Sequence, residues 1–443
     1  MGPKQHQEQI DKIIFSIIAI MLYWIALQDF VGAFLYRVGM PSIMLRMLIL
    51  SKEIVVVFLF IISLATMYAR KHFDVSHIVG VAFISFVVIF SIYGNAPINS
   101  KLSSIRIYSL PVMLSCIGYS CINTFTTYSK YIKHVVMVSL IVAIFGLIEY
   151  IFLPVSFWTE IVPIFSFNQV VKYGNEDISE SLEYFGNFYG DYGTGYMSLR
   201  RLISLFGSPL TTGYFIFFSF IIYFVLVVDA DESRKYGLSQ NNKYILLFLL
   251  IGCMIFTFTR GVLLPVIGLL VYHYGMKHKS ILTFGTIIII PAIWSIIDID
   301  IIFQNLFQDA SATGHLIELL QGINAFIDKP LGGGLGTAGA WAIRFNEDAI
   351  GTESSILSLG IQLGIPGIII FFTFWWYLVK KRFIEILGLN YKYRQQQYRL
   401  LVYSTLGYLF TAIISEQLFT FTSVAAYWLY LGAELRENKS NNI

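Results

Sequence analysis

Apolar runs long enough to cross a lipid bilayer recur along almost the whole chain, and they restrict what it can fold into. Of its 443 residues, 56% are hydrophobic and 13% are charged, whereas a soluble domain carries roughly 25% charged residues. A helix of about 20 apolar residues crosses the ~30 Å hydrocarbon core of a bilayer. The sequence therefore predicts an all-α polytopic membrane protein, with residues 1–443 in a single integral membrane domain. About twelve transmembrane helices are predicted, at residues 13–32, 53–69, 75–93, 106–126, 132–153, 206–228, 243–258, 261–275, 281–297, 355–379, 397–414 and 417–435.

The distribution of lysine and arginine orients the predicted spans. Cytoplasmic loops carry an excess of these residues, and one set of short loops is basic, as at Arg70-Lys71. Both termini fall on the same side as these loops, which requires an even number of spans. We therefore expect a multi-pass protein with both termini in the cytoplasm and two long loops, about 154–205 and 298–354, on the opposite face. The net charge of +3 is too small to indicate a nucleic-acid partner.

The sequence indicates no cofactor and no metal site. Its three cysteines, Cys116, Cys121 and Cys253, lie inside apolar runs without metal-ligand spacing, which predicts small buried hydrophobic residues. The glycine motif that begins at Gly334 matches a dinucleotide-binding fingerprint by letter, but no strand or βαβ unit is predicted around it.

Arginines on the face opposite to the basic loops run against the orientation rule and are candidate functional residues. Arg260 lies between two apolar spans with almost no loop, and Arg200-Arg201 end the first long loop. Arg344 adds a further candidate in the second long loop. A guanidinium group matches the oxygens of a phosphate, and a basic pair beside the helix start predicted at Ser208 favours an anion. The alternative interpretation is that these arginines anchor their helices at the lipid headgroups.

Two side chains of the second long loop are candidate proton acceptors. His315 is the one histidine predicted on the face opposite to the basic loops, and Glu353 comes just before a predicted span. Partial burial there would suit the Glu353 carboxyl to general-base catalysis. The alternatives are ordinary helix-start chemistry for Glu353 and a structural hydrogen bond for His315. The glycine run around Gly334 would let the backbone approach a ligand, or let the loop move as a lid.

Five short motifs occur in a fixed order between residues 195 and 380. In that order they resemble the O-antigen polymerase and ligase superfamily, and specifically its Wzy-type polymerases. The first five predicted spans agree with this family only in number and hydropathy. The motifs are Arg201 with Phe206-Gly207-Ser208-Pro209, Thr259-Arg260-Gly261, Gly314-His315, Asp328-x-Pro330-Leu331-Gly332-x-Gly334, and Glu353-Ser354-x-x-Leu357 with Leu363-Gly364-x-x-Gly367.

The resemblance implies a C-type glycosyltransferase (GT-C) fold of about twelve helices in the bacterial inner membrane, with the two long loops at the periplasmic face. By motif position, Arg201 and Arg260 would correspond to the family's diphosphate-binding arginines. The ligase branch typically has a histidine where this chain has Glu353, which favours a polymerase. Two positions depart from the pattern: Thr259 replaces a common serine, and His315 stands where many members have arginine.

The activity implied by the resemblance is metal-independent glycosyl transfer without a cofactor. A sugar hydroxyl of one undecaprenyl-diphosphate-linked repeat unit attacks C1 of the growing chain, and undecaprenyl diphosphate leaves. Arginines would stabilise the leaving diphosphate, with Glu353 as the first candidate for the base and His315 as the second. Two other functions stay open: a ligase that transfers polymer to lipid A-core, and a flippase for lipid-linked oligosaccharides. Whether a chain-length regulator is a partner is also open.

Overall fold

The chain folds into a bundle of helices. Within the described residues it is almost entirely helical, and two short strands, β1 (Tyr189–Asp191) and β2 (Ser198–Arg200), pair antiparallel. The structure is a computed structural model that describes residues 3–122, 124–172, 188–191, 198–229, 243–277, 310–386 and 392–440. The helices are α1 (Pro3–Arg37), α2 (Ser42–Ala69), α3 (Val75–Phe90), α4 (Ile98–Cys121), α5 (Phe125–Phe152), α6 (Ile164–Phe167), α7 (Pro209–Ile222), α8 (Lys243–Phe256), α9 (Arg260–Lys277), α10 (Ala310–Asp328), α11 (Ala340–Ile343), α12 (Ser355–Ile386), α13 (Lys392–Ile414) and α14 (Phe421–Ser440).

Five of the described helices are long and apolar enough to cross a bilayer, which confirms an all-helical membrane protein. Many of their large apolar side chains face outward, as expected for helices in contact with lipid. The count of twelve spans stays a prediction, because the span predicted at 281–297 lies outside the described residues. The five segments are Asp11–Arg37, Ser42–Ala69, Phe125–Phe152, Pro209–Leu226 and Ser355–Lys380.

Short-range signals in the sequence fix several helix starts. The hydroxyl of Ser208 accepts a hydrogen bond from the N–H of Thr211 at 3.4 Å, and Pro209 occupies the first position of α7. This is the cap predicted from the sequence. Thr124 caps α5 and Asp74 caps α3 in the same way.

Contacts between helix termini define two ends of the bundle. At the tail end, Arg70 after α2 pairs with Asp11 near the start of α1 at 3.4 Å. There too, the hydroxyl of Tyr128 near the start of α5 donates to Glu434 near the end of α14 at 2.9 Å. The opposite end, called the site end, holds the connections that follow α1, α3, α5, α8 and α13, together with residues 329–354.

The second long loop contains a helix in its described part. Helix α10 places the apolar side chains of Ile317, Leu320 and Ile327 at helical spacing. The hydropathy of this stretch is too low for a span, which is why the sequence predicts a loop there. Helix α10, including Gly322, packs against the beginning of α12.

Helices α4 and α14 pack against each other more extensively than any other described pair. Gly118 lies against the carbonyl of Leu429, and Gly432 lies against the carbonyl of Ser115, with no room for a Cβ atom at either glycine. Small residues let membrane helices approach this closely. As a result, the turn before α14 comes to lie beside Tyr108 of α4, where the candidate site is built.

Candidate functional site

The glycine run completes the hydrogen bonding of an interrupted helix. Gly364 has a φ of 69° and breaks α12, and Pro366 has no N–H to give to the carbonyl of Gln362. That carbonyl accepts from the N–H of Gly334 at 3.1 Å, and the carbonyl before it accepts from the N–H of Gly333 at 2.7 Å. Because an unpaired buried carbonyl is costly, the glycine run belongs to the structure of the helix.

Gly334 meets two conditions that a residue with a side chain would not. Its φ is 101°, and a Cβ atom there would lie 2.7 Å from the carbonyl oxygen of Tyr93. Since its N–H is already donated to Gln362, the structure places Gly334 at the junction between loop and helix. The ligand contact predicted for Gly334 gains no support from this geometry.

A partly open cavity lies next to this junction, at the site end of the bundle, and its inner space has room for about one water-sized group. Its walls are α4, α11, α12 and the turn between α13 and α14. Its lining residues are Ser104, Ile107, Tyr108, Ala338, Gly339, Trp341, Ser355, Ser358, Gln362, Glu416 and Phe419.

A hydrogen-bond network holds the polar groups of this cavity in place. The side-chain oxygen of Gln362 accepts from the N–H of Gly336 at 2.8 Å, which leaves its nitrogen as the donor. That nitrogen donates to the hydroxyl of Tyr108 at 2.8 Å and to the carbonyl of Ala338 at 2.7 Å. The Tyr108 and Ser358 hydroxyls lie 3.2 Å apart. The cavity therefore presents fixed hydroxyl and amide groups.

Glu416 brings a carboxylate into the cavity wall. Its Oε2 accepts from the N–H of Ala340 at 2.7 Å. Its Oε1 is buried, and no hydrogen bond of ordinary geometry reaches it from the described part of the chain. A Cβ atom on Gly339 would lie 2.5 Å from both this Oε1 and the hydroxyl oxygen of Ser358. A glycine at this position thus permits the close approach of backbone and carboxylate.

Burial raises the pKa of Glu416 to about 8, which brings its titration close to neutral pH. The carboxylate of Glu353 raises this pKa further, whereas the Ala340 N–H, the Ser358 hydroxyl and the Arg344 guanidinium lower it. Glu416 lies in the turn between α13 and α14, outside the candidate spans. A carboxyl group that changes charge near neutral pH is typical of functional sites.

Two guanidinium groups lie on the ring of Trp341 in the cavity wall, and together with Lys52 we call them the Trp341 cation group. The guanidinium of Arg344 stacks over the ring of Trp341 at 4.0 Å, and that of Arg106 lies 5.6 Å from the same ring. Arg106 also pairs with Glu53 at 3.3 Å. The buried Lys52 interacts electrostatically with Arg106. Stacking on an aromatic face fixes a guanidinium group while its N–H edge can still bind an anion.

Glu353 lies at the start of α12 and is half-buried. The helix is capped by the neighbouring Ser354, whose hydroxyl accepts from an N–H of the first turn and donates to the carbonyl of Ala412 at 3.1 Å. The cap is therefore Ser354 rather than Glu353. Glu353 interacts electrostatically with both Glu416 and Tyr214, so the two carboxylates belong to one site.

Arg201 and Arg260 come together at the turn between α8 and α9. The Nε of Arg201 donates to the carbonyl of Thr257 at 2.9 Å, and its guanidinium also reaches the carbonyl of Phe258 at 3.4 Å. Arg260 begins α9 only two residues later and is exposed. The structure thus places two predicted arginines at one turn, the first held by backbone carbonyls and the second open to solvent.

This arginine pair is linked to the carboxylates through Tyr214 of α7. Gly261 lies directly against the Tyr214 hydroxyl, which leaves no room for a side chain at that position. Tyr214 in turn interacts electrostatically with Glu353. These contacts connect the two carboxylates to the Arg260 turn through Tyr214, and to the Trp341 cation group through Arg344.

Arg200 has a different environment from its neighbour in sequence. Its guanidinium forms an ion pair with the fully buried carboxylate of Glu149 and donates to the carbonyl of Leu153 at 2.7 Å. Trp158 donates to the same carboxylate at 2.9 Å. The structure therefore places Arg200 in a buried ion pair with Glu149.

The backbone of His315 lies in α10, one helical turn before Glu318, and its side chain lies outside the described residues. The Glu318 carboxyl is close to Gly351, two residues before Glu353. The described backbone thus brings this part of α10 toward the start of α12.

Sequence reasoning did not select Glu416, Arg106 or Lys52. The orientation rule concerns lysine and arginine and carries little information about acids. A usable signal existed for Glu416, because it is the single acid between the last two predicted spans. Lys52 and Arg106 lie at the predicted borders of spans, where a basic residue is interpreted as an anchor.

Fold and site together define a class of protein, an all-helical membrane protein with carboxylates and cations gathered at one end of its bundle. No protein-family model matches the chain, and no curated protein is significantly similar to it.

Proposed function

We propose that this protein is a Wzy-type O-antigen polymerase, a glycosyltransferase that joins undecaprenyl-diphosphate-linked oligosaccharide repeat units. In this proposal the chain crosses the bacterial inner membrane about twelve times in a GT-C-like fold. Both termini are cytoplasmic, and the site end faces the periplasm. The ordered motifs around Arg201, Arg260 and Glu353 support this function.

The observation that carries the proposal is the arrangement of charges at the site end. Two carboxylates, Glu353 and Glu416, are connected by contacts to two groups of cations, Arg201 with Arg260 and the Trp341 cation group. A polymerase of this kind binds two substrates that each carry a diphosphate, and it needs a base between them. Guanidinium groups are well suited to bind diphosphate. The arrangement matches this requirement, in a protein embedded where lipid-linked substrates reside.

The reaction can be written with these groups alone. The acceptor hydroxyl gives its proton to a carboxylate, its oxygen forms a bond to C1 of the donor sugar, and the bond from C1 to the diphosphate oxygen breaks. The electron pair leaves with undecaprenyl diphosphate, whose growing negative charge Arg201 and Arg260 stabilise. Guanidinium groups that are already oriented toward this charge stabilise the transition state more than they stabilise the bound substrate.

The test is polymerisation by the purified protein in lipid nanodiscs, with lipid-linked repeat units as the only substrate. We expect products several repeats long, resolved as a ladder by gel electrophoresis. With Arg260→Ala, we expect the single repeat units to remain unextended. Arg260→Lys should retain part of the activity, because lysine keeps the positive charge but lacks the forked donors of the guanidinium group. Arg260 is exposed, so both variants should be recovered as folded protein.

Other outcomes of the same assay identify the alternatives. Wild-type protein that makes no polymer but transfers preformed chains to lipid A-core would be a ligase. Protein that moves lipid-linked oligosaccharide across vesicles without forming a glycosidic bond would be a flippase. Chains whose length narrows only when a second membrane protein is added would identify a chain-length regulator as a partner.

A further inference from the structure

The cavity beside α11 holds a carboxylate that sequence reasoning did not select and whose role is not assigned by the motifs. Glu416 is anchored through Oε2 by the N–H of Ala340 at 2.7 Å, so the position of its carboxyl group is fixed by backbone. It lines the cavity together with the hydroxyls of Tyr108 and Ser358. Hydroxyl and amide groups held in this way are the usual partners of sugar hydroxyls.

We propose that this cavity receives the attacking hydroxyl of the acceptor sugar and that the Glu416 carboxylate takes the proton from this hydroxyl. This inference rests on the polymerase function proposed above, and it identifies the carboxylate that acts as the general base of that reaction. The inner space of the cavity has room for about one water-sized group. It therefore admits the attacking hydroxyl, while the sugar ring and the rest of the repeat lie at the opening of the cavity.

Geometry favours Glu416 over Glu353 for this role. Glu416 lines the cavity itself, and the N–H of Ala340 holds its Oε2 while its Oε1 lies on the side of the Ser358 hydroxyl. Glu353 is not among the lining residues and lies at the start of α12. Its link to the cavity is its electrostatic interaction with Glu416. Glu353 is therefore a positioning residue that acts on the protonation of Glu416.

The charged and titratable groups around Glu416 come from three elements. Glu353 at the start of α12 raises its pKa, Arg344 after α11 lowers it, and Tyr108 of α4 lies across the cavity. Burial is the largest cause of the raised value of about 8. A base that titrates near the working pH is efficient in proton transfer. The hydroxyl proton moves to Glu416 as the bond to C1 forms, and Glu416 then releases it to solvent.

The experiment measures the rate of chain elongation by nanodisc-embedded protein between pH 5.5 and 9.5, with purified lipid-linked repeats. For wild type we expect kcat/KM to rise with an apparent pKa near 8. Glu416→Gln should lower kcat/KM by about 100-fold or more, the usual contribution of a general base, and should abolish this pH dependence. Glu353→Gln should retain much of the rate and shift the apparent pKa downward, because it removes a neighbouring negative charge.

Glu347→Gln is the matched control, since Glu347 is an exposed carboxylate in the loop between α11 and α12. It should leave both the rate and the pH profile unchanged. Size-exclusion chromatography and thermal unfolding identify any variant that fails to fold, and Glu416→Asp tests the role in a variant that keeps the carboxylate. Partial activity with the original pH dependence is expected for Glu416→Asp.

Two results overturn the inference and leave the polymerase proposal intact. One is a Glu416→Gln protein that elongates within tenfold of wild type while Arg260→Ala does not elongate. The other is loss of the pH dependence in Glu353→Gln with its retention in Glu416→Gln. A wild-type protein that forms no polymer would instead contradict the proposed function itself.

Discussion

At the scale of single residues, Glu416 makes the stability of the protein depend on pH. Its folded pKa of about 8 exceeds the value of roughly 4.3 expected in an unfolded chain. The folded state therefore binds this proton more tightly. The resulting stability is fully present below about pH 4 and is lost as the pH rises through 8.

We expect the thermal midpoint of wild type in detergent to fall between pH 6 and pH 9 by more than that of Glu416→Gln. Glutamine fills the same space and does not titrate in this range. An equal fall in both proteins would assign the pH dependence to other groups.

Arg200 and Glu149 allow a second test at this scale. Removing one partner of a buried ion pair costs about 3–5 kcal/mol, because the other charge stays buried without compensation. Arg200→Leu should therefore lower the stability strongly, and adding Glu149→Gln should recover much of it while keeping an acceptor for Trp158. Denaturant unfolding of the single and double variants measures the difference. If the loss of stability in the double variant equals the sum of the losses in the two single variants, these two side chains are not coupled.

The residue scale also shows where sequence reasoning reached its limit. Arg201 and Arg260 were selected because a cation in a predicted outer loop is locally unusual. The same reasoning grouped Arg200 with them, although its partner Glu149 lies about 50 positions away. Glu416 was missed because its environment comes from α4, α11 and α12, and no local pattern describes it.

At the scale of structural elements, the interruption in α12 and the glycine run form one unit. Gly334→Ala should destabilise the protein by roughly 1–3 kcal/mol, the range for a residue forced into an unfavourable backbone conformation. The added methyl group would also meet the carbonyl of Tyr93. Gly268→Ala in α9 is the matched control, because nothing lies within 4 Å of its Cβ position. Thermal unfolding in detergent should show a loss for the first variant and no loss, or a small gain, for the second.

Helix starts were predictable because their signals are local. Ser208 and Pro209 specify the beginning of α7 through their own hydroxyl and ring. The pairing of Gly333 and Gly334 with α12 was not predictable in this way. Pro366 has no N–H, so the carbonyl of Gln362 has no partner within the helix. Only a segment distant in sequence can supply one.

At the scale of the whole molecule, the close contact between α4 and α14 joins segments that lie about 300 positions apart in the chain. Gly432→Val should prevent this contact, since a side chain there would overlap the carbonyl of Ser115. Gly252→Val in α8 should be tolerated because its Cβ position is open. We expect Gly432→Val to be recovered mainly as aggregate in size-exclusion chromatography. A monodisperse, active Gly432→Val protein would contradict the packing described.

The sequence by itself determined the class of this protein, because apolar runs of spanning length have no other stable environment than a bilayer. It also determined helix starts and the unusual cations, which depend on neighbours along the chain. The tertiary structure alone decided which of these residues meet. It separated Arg200 from Arg201, assigned the glycine run to a broken helix, and brought Glu416 into a cavity beside Tyr108. The physical reason is that pairing and burial depend on contacts between distant segments, which hydropathy and local spacing do not record.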